Sequence, residues 1–366
     1  MLLTKPLLIS LQFCLKKLKS KNLVKECGRN YAAVLKGERD IDIFYLNDPA
    51  LCAHQVRVAL KTSAICGTQI GEWTMSRGPD PYLPHCFGHE AVGEVLEVGD
   101  EVKGLSTGDR VIISWMKASA DCHEPPKFTD DSGADVNFGQ CCTFVTRGVF
   151  PDNRVFKIDE SIATDIAALL GCALLTAYAA LKCATSPSKE DKSEIAIVGA
   201  GGIGLSVAAL CQAFGWGAIC VDTPAVITHL EMQDLGFKLM STNEATVHRA
   251  GKHPIVIVCT GAHSAFELAE TLLPRNAGKL LVVGNPPYGT KVGLDIKPLL
   301  YGREIIGVGE KDVELPKDLY ELVDLVKAGR LQAERLVRQR FPLADIQEAF
   351  EASVSGLGGR TLIDIG

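Results

Sequence analysis

One apolar run that ends in a glycine-rich turn restricts the possible folds of this chain more than any other feature. Residues 194–198 read as a buried parallel strand, and residues 199–204 follow directly with the sequence Gly-Ala-Gly-Gly-Ile-Gly. An apolar helix is expected over 205–214, and a second strand over 218–221 ends at Asp222. A lone Gly-x-Gly-x-x-Gly motif is common by chance, but this one leaves a strand and opens a helix, which predicts a dinucleotide-binding unit.

The same unit indicates which cofactor it would bind. The glycines would let the backbone approach a pyrophosphate, and the helix N-terminus would supply free N–H groups and the positive end of its dipole. Asp222 would bind the adenosine ribose, and its carboxylate would repel the extra phosphate of NADP, so we expect NAD. The predicted cofactor contacts are Gly199, Gly201, Gly202, Ile203, Gly204 and Asp222, with Thr260, Gly261, Gly284 and Asn285 after later strands.

Length and composition limit the class of protein. At 366 residues the chain is too long for one ordinary core, which favours two domains. A hydrophobic content of 47% and a charged content of 22% are typical of globular proteins. The net charge of −6 argues against nucleic-acid binding, and no apolar run reaches the roughly 18 residues of a membrane span. The 13 cysteines are too sparse for a disulfide scaffold, so we expect reduced thiols in the cytoplasm, a few of them on a metal.

The first 28 residues differ from the rest of the chain. Leucines are interleaved with lysines there, and no acidic residue precedes Glu26. A basic amphipathic helix in this segment would have a targeting or membrane-surface role. We favour the alternative of an extension that is attached loosely outside the fold.

Short strands separated by glycine, proline and aspartate are predicted ahead of the glycine-rich turn. Residues 31–35, 41–45 and 55–62 have this spacing, which is typical of a β-rich, partly open barrel. Cys66 and His89 follow, and a thiolate and an imidazole with one further ligand would form an open zinc site of the catalytic type. Taken alone, Cys66 would more often be a buried free cysteine, and most His-Glu pairs are surface accidents.

A zinc signature links these residues to a known family. Residues 88–93 read Gly-His-Glu-Ala-Val-Gly, Gly99 and Val102 follow at the family's spacing, and residues 104–111 match the next turn. From about residue 31 to the end, the chain resembles the medium-chain zinc-dependent alcohol dehydrogenases, and locally their sugar and polyol members. The resemblance implies an α/β fold with a Rossmann cofactor domain over 181–313 and a β-rich, partly open, GroES-like catalytic domain over 29–180 and 314–366. It also implies a homo-oligomer, either a dimer or a tetramer. The composition separately predicts a polar, hinge-like stretch at 186–192, close to the first boundary.

The resemblance assigns roles to individual residues. It implies that Cys66, His89 and Cys172 bind one catalytic zinc ion, and that Glu90 lies beside them or alternates as a fourth ligand. It places the Thr68 hydroxyl on the substrate oxygen, where it would take part in proton transfer. By itself Cys172, in a run of small apolar residues, would be a core cysteine about as often as a ligand.

Three departures from the family pattern concern the metal and its surroundings. The region 115–140 contains a single cysteine, Cys122, where many relatives hold a structural zinc with four, so we expect one zinc per chain and an irregular loop over 117–138. Gln69 replaces the usual Asp that accepts the ring N–H of the liganding histidine, and its carbonyl is expected to accept that bond instead. No histidine follows within 70–73 to end a proton relay.

The leading hypothesis is a zinc-dependent, NAD-linked oxidoreductase. Its expected substrate is a small alcohol or the matching carbonyl compound, and more narrowly a polyol or a sugar derivative. A zinc-free enone or quinone reductase of the same superfamily is one alternative, although such a protein would lack the three zinc ligands. A catalytically silent NAD-binding protein is the other, because Gln69 and the missing relay histidine are consistent with lost activity.

Overall fold

The computed structural model describes residues 28–119, 124–184, 194–354 and 358–366. Three of the sequence predictions fall outside these ranges: the extension over 1–28 apart from its last residue, Cys122, and the polar hinge at 186–192.

The described residues form eighteen strands and nine α-helices. The strands are β1 Tyr31–Gly37, β2 Asp40–Asn47, β3 Gln55–Ile65, β4 His85–Cys86, β5 Glu90–Val98, β6 Arg110–Ser114, β7 Phe128–Asp130, β8 Asp135–Val136, β9 Arg147–Pro151, β10 Val155–Lys157, β11 Ile195–Val198, β12 Ala218–Asp222, β13 Leu239–Ser241, β14 Ile255–Val258, β15 Lys279–Val282, β16 Glu304–Gly307, β17 Val337–Pro342 and β18 Arg360–Asp364. The helices are α1 Gly67–Trp73, α2 Thr164–Leu170, α3 Ala173–Ala184, α4 Gly202–Phe214, α5 Pro224–Glu231, α6 Thr242–His248, α7 His263–Leu272, α8 Lys317–Lys327 and α9 Ile346–Val354.

The β-rich part consists of two sheets. One has the order β4-β1-β2-β7-β8, and the other has the order β10-β6-β5-β3-β18-β17, with β9 also paired to β3. The end of the chain returns to this part, because β18 pairs antiparallel with β3 and sets Thr361 opposite Ile65. The last strand therefore lies beside the strand that leads into Cys66.

The second part is a six-stranded parallel sheet of order β13-β12-β11-β14-β15-β16. Its central strands are apolar on both faces, as expected for parallel strands that helices cover on both sides. The strand order reverses between β11 and β14, and ligands of such sheets bind at the carboxyl ends of the strands on either side of that point. The expected α/β fold, a Rossmann domain with a β-rich, partly open GroES-like domain, is confirmed. The boundaries at 180/181 and 313/314 stay a prediction.

Helices α2 and α3 lie in the largest core cluster, which also contains residues of α4 and of the parallel sheet. Among the described residues, no single helix is long and apolar enough to cross a membrane; only α2 and α3 taken together, bent by 52° at their junction, pass by length and composition.

The loop predicted over 117–138 is more regular than expected. Strands β7 and β8 form a short hairpin within it, which extends the sheet at β2. Asp130 closes the turn by accepting hydrogen bonds from the backbone N–H groups of Ser132 and Ala134. Phe128 and Phe138 are buried and stacked at 4.3 Å between ring centroids. The prediction of an irregular loop was wrong for this hairpin, because the many polar turn residues gave no indication that the two phenylalanines are buried.

Candidate active site

Cys66 lies where β3 gives way to α1. It is the N-cap residue of the helix, and its backbone N–H donates to Gln69 Oε1 at 2.8 Å. The carbonyl of Ile65, just before it, accepts from Arg360 Nη1 at 3.0 Å. The position of Cys66 is thus fixed from inside the helix and also from the last strand of the chain.

His89 lies in the turn between β4 and β5. Gly88 precedes it with φ of +95°, and a Cβ atom at that position would lie 2.6 Å from Thr143 Oγ1 and 2.9 Å from the backbone nitrogen of Phe144. Only glycine satisfies both the positive φ and the close approach. In the Gly-His pair of the sequence motif, the backbone conformation therefore requires Gly88, and the proposed metal chemistry requires His89.

Cys172 lies at the junction of α2 and α3. The residue before it, Gly171, is held by Ser114 Oγ, which donates to its carbonyl at 2.6 Å. Strand β6 ends at Ser114, so the middle of the β-rich part sets the position of this cysteine. No local sequence pattern indicates the Ser114 contact, because it joins residues 57 apart.

These three side chains converge into one group, called the ligand group below. The sulfur atoms of Cys66 and Cys172 and a ring nitrogen of His89 all lie within 4.8 Å of one another, and His89 Nε2 is 3.2 Å from Cys172 Sγ. Two sulfurs and one imidazole nitrogen fit a zinc ion that keeps a fourth position open for catalysis. The donor set and its spacing therefore fit the predicted metal, whereas zinc ligation itself stays a prediction.

The two sulfurs are electrostatically unequal. A hydrogen bond from the Cys172 thiol, with the charges of Arg360 and His89, lowers the pKa of Cys66 well below its usual value against the effect of burial. The same hydrogen bond and burial raise the pKa of Cys172. Burial lowers the pKa of His89, but the Cys66 sulfur and Glu90 raise it by more. The two thiols thus influence each other's pKa, and both would have to be deprotonated to bind a metal.

Glu90 is not part of the ligand group. Its Oε2 accepts the backbone N–H of Ala173 at 3.1 Å, and its Oε1 lies 3.4 Å from Arg360 Nη1. Burial raises the pKa of Glu90 to about 7, although Arg360 and His89 oppose this. To become a fourth ligand Glu90 would have to leave both partners, so the structure places it in the other expected position, beside the ligands.

Gln69 is used differently from the sequence expectation. Its carbonyl oxygen accepts from Cys66 N–H, and its amide nitrogen contacts His89 Nδ1. The carbonyl therefore does not accept the histidine ring N–H, and that prediction was wrong. The reason is local: the side chain of the third helical residue satisfies the first free N–H of α1, as in a capping box.

The ligand group lies in a cleft of about 1050 Å³ that also includes the glycine-rich turn. The predicted site residues that line it are Cys66, Thr68, His89, Cys172, Gly199, Gly201, Gly202, Ile203, Asp222, Thr260, Gly261, Gly284 and Asn285. Gly204 lies behind the lining, because a Cβ there would be 1.8 Å from the carbonyl oxygen of Gly199. Gly204 thus allows α4 to pack closely on its strand rather than contacting a ligand.

The turn fits a dinucleotide, although Asp222 has additional partners. Asp222 lies at the end of β12, and its carboxylate accepts the backbone N–H groups of Ala200 and Thr223, each at 2.6 Å. It therefore holds the glycine-rich turn to the neighbouring strand end and lines the cleft. Nothing lies within 4 Å of a Cβ built on Gly201, so this edge of the turn is open.

Arg360 is the main functional candidate that the sequence reading missed. Its side chain is 2% exposed, and its Nε and Nη2 have no hydrogen-bond partner among the described residues. A Cβ on Gly202 would lie 2.5 Å from Arg360 Nε, so the guanidinium lies against the N-terminus of α4. Residue 360 is distant in sequence from both motifs, and no local pattern marked it.

Comparisons with known proteins agree with this geometry. Residues 52–160 match the model of the alcohol dehydrogenase GroES-like domain. Alcohol dehydrogenase-like 2 of Arabidopsis thaliana is 27% identical over 85% of this chain and 89% of its own length. L-threonine 3-dehydrogenase of Shewanella sp. (strain W3-18-1) is 26% identical over 90% and 97%, respectively. The crystal structure of benzyl alcohol dehydrogenase from Acinetobacter calcoaceticus superposes with a TM-score of 0.78 at 23% identity, over 93% of this chain and 100% of that one.

Proposed function

The chain belongs to the medium-chain zinc-type alcohol dehydrogenase family, and from this premise we propose that it is a zinc-dependent, NAD-linked oxidoreductase that interconverts an alcohol and its carbonyl compound. One observation carries the proposal: the ligand group and the glycine-rich turn belong to the same cleft. The ligand group favours this proposal over a zinc-free enone reductase. The Gln69 contact with His89 is the observation that keeps a catalytically silent protein as the second candidate.

Each residue of the proposed site has a chemical task. When bound, zinc would polarise the substrate oxygen and the nicotinamide would exchange a hydride with the substrate carbon. Cys66, His89 and Cys172, which all line the cleft, would hold the metal as its three protein ligands. Thr68 lines the cleft next to Cys66, and its hydroxyl would accept and pass on the substrate proton.

The cofactor would be held by backbone and side-chain groups together. The N-terminus of α4 would bind the pyrophosphate, and the guanidinium of Arg360, which lines the same cleft, would add positive charge beside it. Asp222 would accept from the ribose hydroxyls and disfavour the phosphate of NADP, which supports NAD. Thr260, Gly261 and Gly284 would lie near the nicotinamide, although close packing between the loops at Thr260 and Asn285 already explains both glycines.

A polyol or sugar derivative fits one further detail of the cleft. Trp115 lines it with its ring 6.3 Å from that of His89, and its indole N–H is buried without a hydrogen-bond partner among the described residues. Buried donors of this kind normally find an acceptor. If the indole turned toward the cleft, a second hydroxyl on the substrate would supply one, whereas a simple monohydric alcohol has no second oxygen to do so.

Self-association is part of the proposal. Strand β16 is at one end of the parallel sheet, and exposed apolar side chains lie on and just before it: Ile296, Leu299, Leu300, Tyr301 and Ile305. Apolar edge strands favour pairing with another chain, which supports a dimer or a dimer-based tetramer. Sedimentation equilibrium would measure its size. A cytoplasmic location stays a prediction from the cysteine content.

The decisive experiment combines metal analysis with turnover on the purified full chain. We expect one zinc per chain by mass spectrometry, and NAD-linked oxidation of polyols faster than of benzyl alcohol or L-threonine. Preference for NADP would contradict the role of Asp222. Enone reduction without metal would favour the zinc-free alternative, and saturable NAD binding without turnover on any substrate of the panel would favour the silent one.

A further inference from the structure

We propose that Gln69 weakens zinc binding by the ligand group, because it presents a hydrogen-bond donor to the His89 ring where a metal-bound histidine needs an acceptor. The inference rests on the proposed function, since it concerns the same metal site. It assigns to Gln69 a positioning role that acts on the metal through His89.

The orientation of the amide follows from the backbone. A backbone N–H can only donate, so the atom of Gln69 that meets Cys66 N–H at 2.8 Å must be the carbonyl oxygen. The amide nitrogen then faces His89 Nδ1. Gln69 is 1% exposed, so water offers the side chain no alternative partner.

This orientation determines where the His89 ring can carry a proton. An amide nitrogen only donates, so Nδ1 has to accept and to be free of a proton. A neutral ring then carries its proton on Nε2, where it donates to Cys172 Sγ at 3.2 Å. Nε2 is also the ring atom that belongs to the ligand group.

A metal ion on Nε2 would require the opposite arrangement. It needs the lone pair of Nε2, so the proton of a neutral ring moves to Nδ1 and faces the N–H of Gln69. Either the amide turns over and gives up the Cys66 N–H, which is then buried and unsatisfied, or the ring loses both protons. Each route costs free energy that a carboxylate at this position would not cost.

Glutamate provides the matched replacement because it has the length and shape of glutamine. One of its oxygens would accept Cys66 N–H, and the other would accept a proton on Nδ1. Partners that orient liganding histidines change metal affinity by about 10- to 100-fold. We therefore expect Gln69→Glu to bind zinc tighter than the wild type by about that factor.

The test is the zinc affinity of the full chain, measured by competition with a chelating dye. Gln69→Met, which removes the donor without adding a charge, should also bind zinc tighter, by a smaller factor. Gln332→Glu adds the same charge at an exposed position outside the cleft and should leave the affinity unchanged. In the metal-free protein, the nitrogen-15 shifts of the His89 ring should place the proton on Nε2 in the wild type and on Nδ1 in Gln69→Glu.

The outcomes separate this inference from the proposed function. Unchanged or weaker zinc binding in Gln69→Glu would overturn it, and tighter binding in Gln69→Glu but not in Gln69→Met would replace it with a simple charge effect. Tighter binding in both without NAD-linked turnover in any variant would support the inference and count against the proposed function. Equal zinc affinity in the wild type and both Gln69 variants, together with NAD-linked turnover, would overturn this inference and support the proposed function. No zinc binding in any variant would overturn both.

Discussion

In two helices of this protein the backbone N–H of the N-cap residue donates to the side chain of the third helical residue, but the two hydrogen bonds serve different purposes. At α6, the backbone N–H of Ser241 donates to Glu244 Oε2 at 3.0 Å, and Glu244 N–H returns a bond to Ser241 Oγ at 3.3 Å. At α1, Cys66 N–H donates to Gln69 Oε1 at 2.8 Å. The cap of α6 is closed on itself, whereas the other end of the Gln69 amide contacts His89. The same local device therefore stabilises a helix in one place and links a helix to a candidate metal ligand in the other.

Removing the N-cap residue of α1 should have the largest effect. We expect Cys66→Ala to lose zinc and to reduce turnover by about a thousandfold or more, because the metal supplies several kcal/mol of charge stabilisation. NAD binding should persist, since the glycine-rich turn is built by other elements. Metal content, turnover and NAD titration measure the three quantities.

Cys52→Ala provides the matched control because Cys52 is exposed and lies outside the cleft. It should leave all three quantities unchanged. Zinc retained by Cys66→Ala would remove Cys66 from the metal site.

The second difference between the two caps is that the start of α1 is also held by a distant residue. Arg360 donates to the carbonyl of Ile65 and faces Glu90, and both charged side chains are buried. Arg360→Met leaves Glu90 buried without its partner, so we expect a loss of about 3–5 kcal/mol in the free energy of unfolding. Urea denaturation measures it.

Arg340→Met is the comparison for that variant. Arg340 also bridges two carboxylates, of Asp165 and Asp364, but its side chain is 42% exposed. The loss there should be at most about 1 kcal/mol. If Arg360→Met and Arg340→Met cost the same, the buried pair does not hold α1 in place. Adding Glu90→Gln to Arg360→Met should recover part of the loss, because the orphaned charge is removed.

The difference between the caps also shows which parts of the site could be predicted from the sequence. The ligands and the glycine-rich turn were recognisable because each lies in a short motif whose spacing reflects its own backbone, as Gly88 beside His89 illustrates. Arg360 could not be recognised, since its contact with Ile65 spans 295 residues. Gln69 is recognisable as a departure from the family pattern, but its role depends on which of its two amide atoms meets Cys66. Only the folded geometry settles that choice.

At α6 the corresponding substitution should affect stability alone. Ser241→Ala removes an N-cap side chain, which costs about 1 kcal/mol in the free energy of unfolding. Urea denaturation should show this loss, while zinc content and turnover stay at wild-type values because Ser241 does not line the cleft. A change in zinc content would mean that the two caps are coupled across the protein and that the cap of α6 is not a purely local device.

The smallest effect is expected from Glu244→Gln, which gives the cap of α6 the same uncharged amide side chain that Gln69 provides at α1. Hydrogen bonds from the Ser241 hydroxyl and backbone hold the pKa of Glu244 below its usual value. A lowered pKa means that the folded state favours the carboxylate, so its contribution is complete above the unfolded pKa of about 4.3 and is lost as the pH falls through the folded value. Glu244→Gln should therefore lower the urea midpoint slightly at pH 7, and the difference from the wild type should shrink below about pH 4. Gln69 carries no charge to titrate. If the difference in urea midpoint between the wild type and Glu244→Gln stayed unchanged in acid, the charge of Glu244 would contribute nothing, and both caps would rely on neutral hydrogen bonds.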